Sequence, residues 1–476
     1  MADADKVPLY VDLDGTLIAT DLLVEALADV VMRRPFLVFA LPFWLLGGKA
    51  SFKRKVADVS GITSAALPYR PEVLKYLESR RQAGQPLILA SASDYHYVQQ
   101  IAEHLGIFSG ILASDGKTNL SATAKLERIR EHAGGDFDYA GNSSDDLPIW
   151  KESRNAIFAG VSDGVLRKLK RMKQPSAVIG GSRGGALDYL RLVRLHQWVK
   201  NLIVFVPILT SHQIGKPDIA LAGVTTFLGF CIAASLTYII NDIADLQSDR
   251  AHGVKRDRPL ASGRVPLSHM SFVVPLLVVL LLGMKLLLSW EAFAVIAGYF
   301  VLTTLYSFVL KKIEVIDVIC LSLLYTLRLI GGHIATGIPF SPWLLSFSLF
   351  LFTSLALVKR FSELYELRQK GALDVVGRGY TSDDLELVAT MGISCGVISV
   401  LVLALYVTST AVHDLYSRPT ILLGMCPVLL YWICRVWFLA HRGSIHEDPV
   451  LFAIQDKTSY AVAAAALLVM LAAAPI

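Results

Sequence analysis

The stretch IALAGVTTFLGFCIAASLTYIINDIADLQSD (219–249) decides the class of this chain. It joins an apolar run, long enough to cross a bilayer as a helix, to three carboxylates, Asp242, Asp245 and Asp249. Spaced i, i+3 and i+7, the three would face one way on a continuous helix. Like charges stacked so closely repel unless a cation sits among them, and carboxylates at a membrane boundary are costly enough to indicate function. The plainer reading, a solvated helix face, leaves the spacing unexplained. Mg²⁺ with a diphosphate as its other ligand is the hard-ion arrangement that suits such carboxylates.

Working outward, similar apolar runs such as GISCGVISVLVLALYVTSTAV (392–412) recur through the second half. They give about nine candidate spans, near 200–213, 219–240, 270–288, 292–309, 314–335, 343–358, 389–411, 419–440 and 459–475, the first of them short. Charged loops at 241–268, 311–314, 359–388 and 441–458 alternate with bland ones at 211–218, 289–291, 336–342 and 412–418. The basic bias places the charged loops in the cytoplasm, and an odd number of spans puts the C-terminus outside. No signal peptide precedes MADADKVPLYVDLDGTL, so the N-terminal part is expected in the cytoplasm of a bacterium, beneath its cytoplasmic membrane. The net charge of +5 sits mainly in those loops, which orients a membrane protein and does not suit nucleic-acid binding. Cys231, Cys320, Cys395, Cys426 and Cys434 all lie in the apolar half and form no CxxC pair, so neither a disulfide framework nor a thiolate metal site is expected. A homo-oligomer is compatible with such a bundle.

Residues 1–172 read differently. Strand candidates VPLYVDL, PLILASAS, FDYAGNS and NAIFAGV alternate with helical stretches, which predicts an α/β doubly wound domain with a parallel sheet. Residues 173–186 are Gly- and Ser-rich and read as a flexible linker, leaving 187–476 as an all-α polytopic membrane bundle. One segment breaks the soluble pattern: RPFLVFALPFWLLGGKASFKRK (34–55) has an apolar part too short to span. It reads either as an element resting on the membrane surface or as a buried helix of a small cap.

The segment YVDLDGTL (10–17) sets Asp12 and Asp14 just beyond a strand, where ligands sit in a doubly wound sheet. Two such carboxylates can share a Mg²⁺ while one attacks phosphorus and the other handles the proton. The segment resembles the haloacid dehalogenase superfamily, mostly phosphatases, and the likeness covers about residues 7–165. The resemblance implies that Ser91 in LILASAS is the second motif and Lys125 in SATAKLERI the third. The acidic fourth motif falls on AGNSSDDLPIW, with Asn142, Asp145 and Asp146. Asn142 stands where a metal-binding Asp is usual; its amide oxygen can ligate Mg²⁺ but brings no charge, so Asp146 is expected to carry more of the load. The stretch 18–85 resembles the helical cap of that superfamily, and a degenerate scaffold is the alternative to an active phosphatase.

Asn241, Asp242, Asp245 and Asp249 together resemble the first aspartate-rich motif of the UbiA superfamily, a likeness that covers about 187–476. Most members transfer prenyl groups from prenyl diphosphates to aromatic acceptors and carry a second DxxxD motif. Here the corresponding loop, LVKRFSELYELRQKGALD (357–374), offers Lys359, Arg360 and Glu363 instead. A Lys–Arg pair grips phosphate directly. Gln197, Lys200 and Asn201 in LHQWVKN, Arg256 and Arg258 in KRDRPLASG, Tyr306, Lys311 and Asp317 in YSFVLKKIEVID, and Asp456 and Lys457 in EDPVLFAIQDKTS depart in the same direction. The set resembles the decaprenyl-phosphate phosphoribosyltransferase branch. That branch moves phosphoribose from phosphoribosyl diphosphate (PRPP) to a polyprenyl phosphate and releases diphosphate. The resemblance implies Mg²⁺ in both domains, with Asp242, Asp245 and Asp249 on the Mg²⁺–diphosphate and the basic residues as interchangeable phosphate clamps. Two other classes stay open: an aromatic prenyltransferase, disfavoured by the missing second motif, and a non-enzymatic lipid-binding protein, disfavoured by the carboxylate spacing.

Overall fold

The computed structural model describes residues 7–161, 163–180, 184–369, 371, 378–412, 415–445 and 448–474. The chain divides into two compact units, residues 1–193 with 238–276, and residues 194–237 with 277–476.

The first unit is built on a parallel sheet of six strands, β1 (Leu9–Val11), β2 (Leu87–Asp94), β3 (Gly110–Ser114), β4 (Asp138–Gly141), β5 (Ala156–Ala159) and β6 (Ala177–Ile179). Their order is β3-β2-β1-β4-β5-β6. Alternation along each strand builds two apolar layers. Leu9, Val11, Leu87 and Leu89 join one core cluster, and Tyr10, Ile88, Tyr139 and Phe158 join the other. The chain leaves β1 in one direction towards β2 and β3 and returns to its other side for β4. The carboxyl end of β1 is therefore the switch point where a doubly wound sheet opens a crevice, and Asp12 follows β1 directly. Between β1 and β2 lie the helices Leu22–Arg33, Leu41–Leu46, Lys49–Val59 and Pro71–Gln82, the expected helical cap among them.

The stretch 173–186, read from composition as a linker, is not all linker. Ala177–Ile179 pair with Ile157–Ala159 as the edge strand, while residues 181–183 lie outside the described residues. Gly and Ser flank a short apolar trio, and composition averaged over the stretch hides it.

Among the described residues seven helices are long and apolar enough to cross a membrane, from Pro217–Ala244 to Pro419–His441. Two bent pairs extend the number towards the expected nine: Ala186–Leu192 with Leu195–Thr210, turned by 49°, and Pro449–Gln455 with Lys457–Ala473, turned by 86°. The short first expected span, 200–213, falls on the end of a tight 3₁₀ coil, Leu195–Phe205, and a single α-turn, Val206–Thr210. Leucines such as Leu221, Leu286 and Leu471 stand exposed on these helices. Apolar side chains facing outward along such lengths suit lipid, as does a backbone satisfied within each helix. This is a multi-pass membrane protein.

Candidate active sites

In the first unit, the Asp12 backbone N–H bonds Ala140 O at 2.9 Å, which holds the end of β1 against β4. The chain then turns sharply at Gly15, with φ of +75°. A Cβ there would lie 2.0 Å from Asn142 Nδ2, so only glycine lets the Asn142 amide lie over this turn. Asp12 is buried. Lys125 Nζ donates to its Oδ1 at 2.7 Å and Thr16 Oγ1 to its Oδ2 at 3.2 Å. Asp14 accepts from the Leu22 backbone N–H at 2.8 Å, from Ser93 Oγ at 2.8 Å and from Ser91 Oγ at 3.4 Å. Tyr139 links the Lys125 ammonium (3.2 Å) to Asp146 Oδ1 (2.7 Å), and the other Asp146 oxygen accepts from the backbone of Asn142 and Ser143. Asp146 thus fixes the loop that presents Asn142, while Asp145 is exposed.

Burial pushes the Asp12 carboxyl up to about 7 against the pull of Lys125, and the neighbouring Asp146 and Asp14 push the same way. Burial works against the Lys125 charge too, but Asp12 and Asp146 outweigh it and raise its pKa. From the cap, Lys53 donates to Ala92 O at 2.6 Å and to Asn119 Oδ1 at 2.8 Å, and feels the Asp14 charge. Asp12, Asp14 and Asp146 therefore outnumber Lys125 and Lys53. Hard oxygen donors carrying surplus negative charge suit Mg²⁺. Among the described residues no three His, Cys, Asp or Glu side chains gather as a ready metal cluster. Asp12, Asp14 and the Asn142 amide would hold the ion with backbone oxygen and water.

The aspartate-rich loop also belongs to the first unit. The long helix ends at Ala244, Asp245 (φ −92°, ψ 9°) breaks it, and Leu246–Ala251 resumes it. The three carboxylates consequently do not share one face in the expected way. Asp242 and Asp249 are buried and converge on one guanidinium nitrogen of Arg258, at 3.1 and 2.6 Å, whereas Asp245 is exposed. The cation demanded by the buried charges is supplied by Arg258. These hard oxygens would still suit a Mg²⁺-bound diphosphate, with Arg258 positioned to share the anion. Arg256 is exposed.

In the second unit the basic residues separate into two groups. Lys200 and Lys359 converge on Asp448, at 2.8 and 3.7 Å. Burial opposes the Asp448 charge, but the two lysines hold its carboxyl down to about 2. Arg360, fully buried, pairs with Asp317 at 2.8 Å and with Glu363. Arg378 reaches the same two carboxylates at 3.2 and 3.3 Å, and Tyr306 donates to Asp317 at 2.9 Å. Asn201 accepts from the buried Arg328 at 2.7 Å. The Tyr380 ring lies 5.7 Å from the Arg360 guanidinium and also lines an apolar cleft with Val318, Leu357, Val388 and Met391. Asp456 serves elsewhere: it caps the last helix and pairs with Arg435 at 2.7 Å. Lys457 is exposed, and Lys311 and Gln197 are partly buried.

Residues 202–455, more than half of the chain, match the sequence pattern of the UbiA prenyltransferase family. The chain belongs to that family. Residues 9–151 of this UbiA-family protein match the haloacid dehalogenase-like hydrolase pattern. It is 36% identical to an uncharacterized protein, y4nM, of Sinorhizobium fredii, over 96% of this chain and 89% of the relative. It is also 36% identical to the nodulation protein NoeC of Azorhizobium caulinodans, over 57% of this chain and 89% of the relative. The decaprenyl-phosphate phosphoribosyltransferase of Mycolicibacterium smegmatis is 34% identical, over 47% of this chain and 72% of the relative. The protein is thus a UbiA-type transferase with a haloacid dehalogenase-like hydrolase domain, and both families generally use Mg²⁺.

Several residues of this UbiA-type protein escaped sequence reasoning. Ser93 bonds Asp14 more closely than Ser91 does, and it lies two residues along the same strand, hence on the same face. Asp448 lies within EDPVLFAIQDKTS, where an Asp before a Pro signals a helix N-cap. Nothing local marks Lys53, Tyr139, Arg328 or Arg378.

A further link was invisible in the sequence. Arg250, next to Asp249, is buried against Glu25 of the N-terminal domain, with contacts of 2.6 and 3.1 Å, and also donates to Ala66 O and Ala261 O. Glu25→Gln should strand a buried guanidinium and cost about 3–5 kcal/mol, whereas Glu25→Leu with Arg250→Met should recover most of it. Thermal unfolding of the full chain in nanodiscs checks this. A loss below about 1 kcal/mol would show the pair to be solvated.

Proposed function

We propose that the UbiA domain transfers 5-phosphoribose from PRPP to a polyprenyl phosphate of the decaprenyl type, and that the N-terminal domain then removes the 5-phosphate. The observation that carries this is the density of cations in the second unit, Lys200 and Lys359 on Asp448 with Arg360 and Arg378 on Asp317 and Glu363. A prenyl donor brings one diphosphate, but PRPP and a lipid phosphate together bring three phosphate-bearing groups. The likeness to the mycobacterial-type phosphoribosyltransferases supports the same pair.

In this reading a lipid-phosphate oxygen attacks the ribose anomeric carbon, the bond to diphosphate breaks, and the diphosphate takes the electron pair. The nucleophile is ionised near neutral pH, so the residues chiefly position the reactants and stabilise the departing charge. Asp242 and Asp249 would hold Mg²⁺, which neutralises the leaving diphosphate. Lys200 and Lys359 on Asp448, and Arg258 beside the carboxylates, serve as phosphate clamps, whereas Arg360, fully buried on Asp317, holds its cluster together. The apolar cleft beside Tyr380 suits a polyprenyl tail. In the N-terminal domain Asp12 attacks phosphorus, Lys125 offsets the crowded charge, and Asp14 gives a proton to the leaving alcohol; water deprotonated by Asp14 then cleaves the aspartyl phosphate, releasing phosphate and restoring Asp12.

Purified protein given radiolabelled PRPP and a polyprenyl phosphate should carry label into the organic phase, and chelation of Mg²⁺ should stop it. Failure to label lipid, with product formed instead from a prenyl diphosphate and an aromatic acid, would overturn the reading in favour of an aromatic prenyltransferase.

A further inference from the structure

Before residue 173 the described chain exposes eight large apolar side chains, and six of them fall between Phe36 and Leu46. Phe36, Phe39, Phe43 and Leu46 are the most open, at 86%, 74%, 72% and 85%. They lie on a 3₁₀ turn, Pro35–Phe39, and a helix, Leu41–Leu46. The opposite side of this arm is apolar too: Leu37, Leu41 and Trp44 pack against the core of the domain. An element apolar on all sides needs a second apolar environment, because water would face it otherwise.

The charge pattern around the arm identifies that environment. No acidic residue occurs between Asp29 and Asp58, whereas Arg34, Lys49 and Lys55 flank the arm and are exposed. A short apolar arm with aromatic side chains and basic flanks matches a bilayer interface carrying anionic headgroups. Such a surface is always at hand, because seven helices among the described residues of the same chain are able to span a membrane.

We propose that the Pro35–Leu46 arm of the phosphatase-like domain inserts its exposed side chains into the interface of the membrane that the chain itself spans. The arm is a monotopic anchor within the cap. It would restrict the domain to substrates presented at the bilayer surface. The inference stands on the exposed face and its charges, independently of either reaction.

The test uses the full chain with its native cysteines replaced, spin-labelled at Phe39→Cys or Phe43→Cys, and reconstituted in phosphatidylcholine–phosphatidylglycerol vesicles. Glu127→Cys, on an exposed position of the same domain, is the reference. Labels at both arm sites should be several-fold less accessible than the reference to a water-soluble relaxing agent, and several-fold more accessible to oxygen. Accessibility to the aqueous agent equal to that of the reference overturns the proposal. Protection from both agents, which means cover by protein, also overturns it. Dipolar broadening between labels, which means cover by a second copy, does the same. Two sites are used so that a local disturbance at one does not decide the outcome.

Discussion

Asp249→Asn should lower transfer of phosphoribose to lipid by at least about 100-fold, while hydrolysis of a small soluble phosphate ester continues unchanged. Asp249 is 2% exposed and accepts from Arg258 at 2.6 Å. The amide is nearly isosteric and keeps an oxygen acceptor, so the loop need not collapse. The negative charge is lost. Arg258 is then balanced by Asp242 alone, and the pair that would hold a divalent ion becomes a single carboxylate. Asp242→Asn should behave alike, because Asp242 meets the same guanidinium nitrogen at 3.1 Å. Asp245→Asn provides the contrast. Asp245 is exposed at the helix break, so its loss should cost far less. Label transfer and ester hydrolysis measured on one preparation decide the matter. A fall in both activities in a well-folded Asp249→Asn protein would mean that the two reactions share one site.

That contrast also shows where sequence reasoning stops. The spacing of Asp242, Asp245 and Asp249 singles out this loop in the sequence, because carboxylates at the end of an apolar run need a reason to be there. Placing all three on one face assumes an unbroken helix, and no residue near Asp245 is a helix breaker. The break follows from burial: two carboxylates turn inward to Arg258 and the third is left to water. The parallel sheet was legible for a similar local reason, since its strands are apolar and regularly interrupted. Asp12 and Asp14 were legible because a strand end and a turn fix where they point, whereas Lys125, on the helix Ala122–Ala133, was singled out only through the family resemblance. The partners Asp448, Arg378 and Arg328 were not. A salt bridge between residues separated by more than two hundred positions, such as Lys200 with Asp448, leaves no periodic trace in the chain. The Glu25–Arg250 pair is hidden in the same way.

Asp12→Asn should leave transfer near its normal rate and trap the lipid-linked phosphoribose, where the native protein should yield lipid-linked ribose. Hydrolysis should fall by at least about 1000-fold, as expected when a nucleophile is removed. Asp12 lies 2.7 Å from Lys125 at the switch point of the sheet, and the nearly isosteric amide takes away the nucleophilic carboxylate while leaving the backbone bonds of the sheet in place. The case for coupling rests on chemistry first: the proposed transferase product carries a phosphomonoester, the class of bond that haloacid dehalogenase-like hydrolases commonly cleave. A flexible linker contributes less than composition suggests, because Ala177–Ile179 are fixed in the sheet. Proximity comes instead from packing. The loop bearing Asp242 and Asp249 belongs to the same compact unit as the phosphatase crevice, where Arg250 meets Glu25 and Gln247 meets Asp29. A lipid-linked intermediate confined to the bilayer would also stay at high effective concentration near the domain. Thin-layer separation of the two lipids, with mass spectrometry for the phosphate, reads the result. Identical phosphorylated products from native and Asp12→Asn protein would remove the phosphatase step. Attention would then turn to Asn142, whose amide brings no charge to a site where burial already holds Asp12 up at about 7.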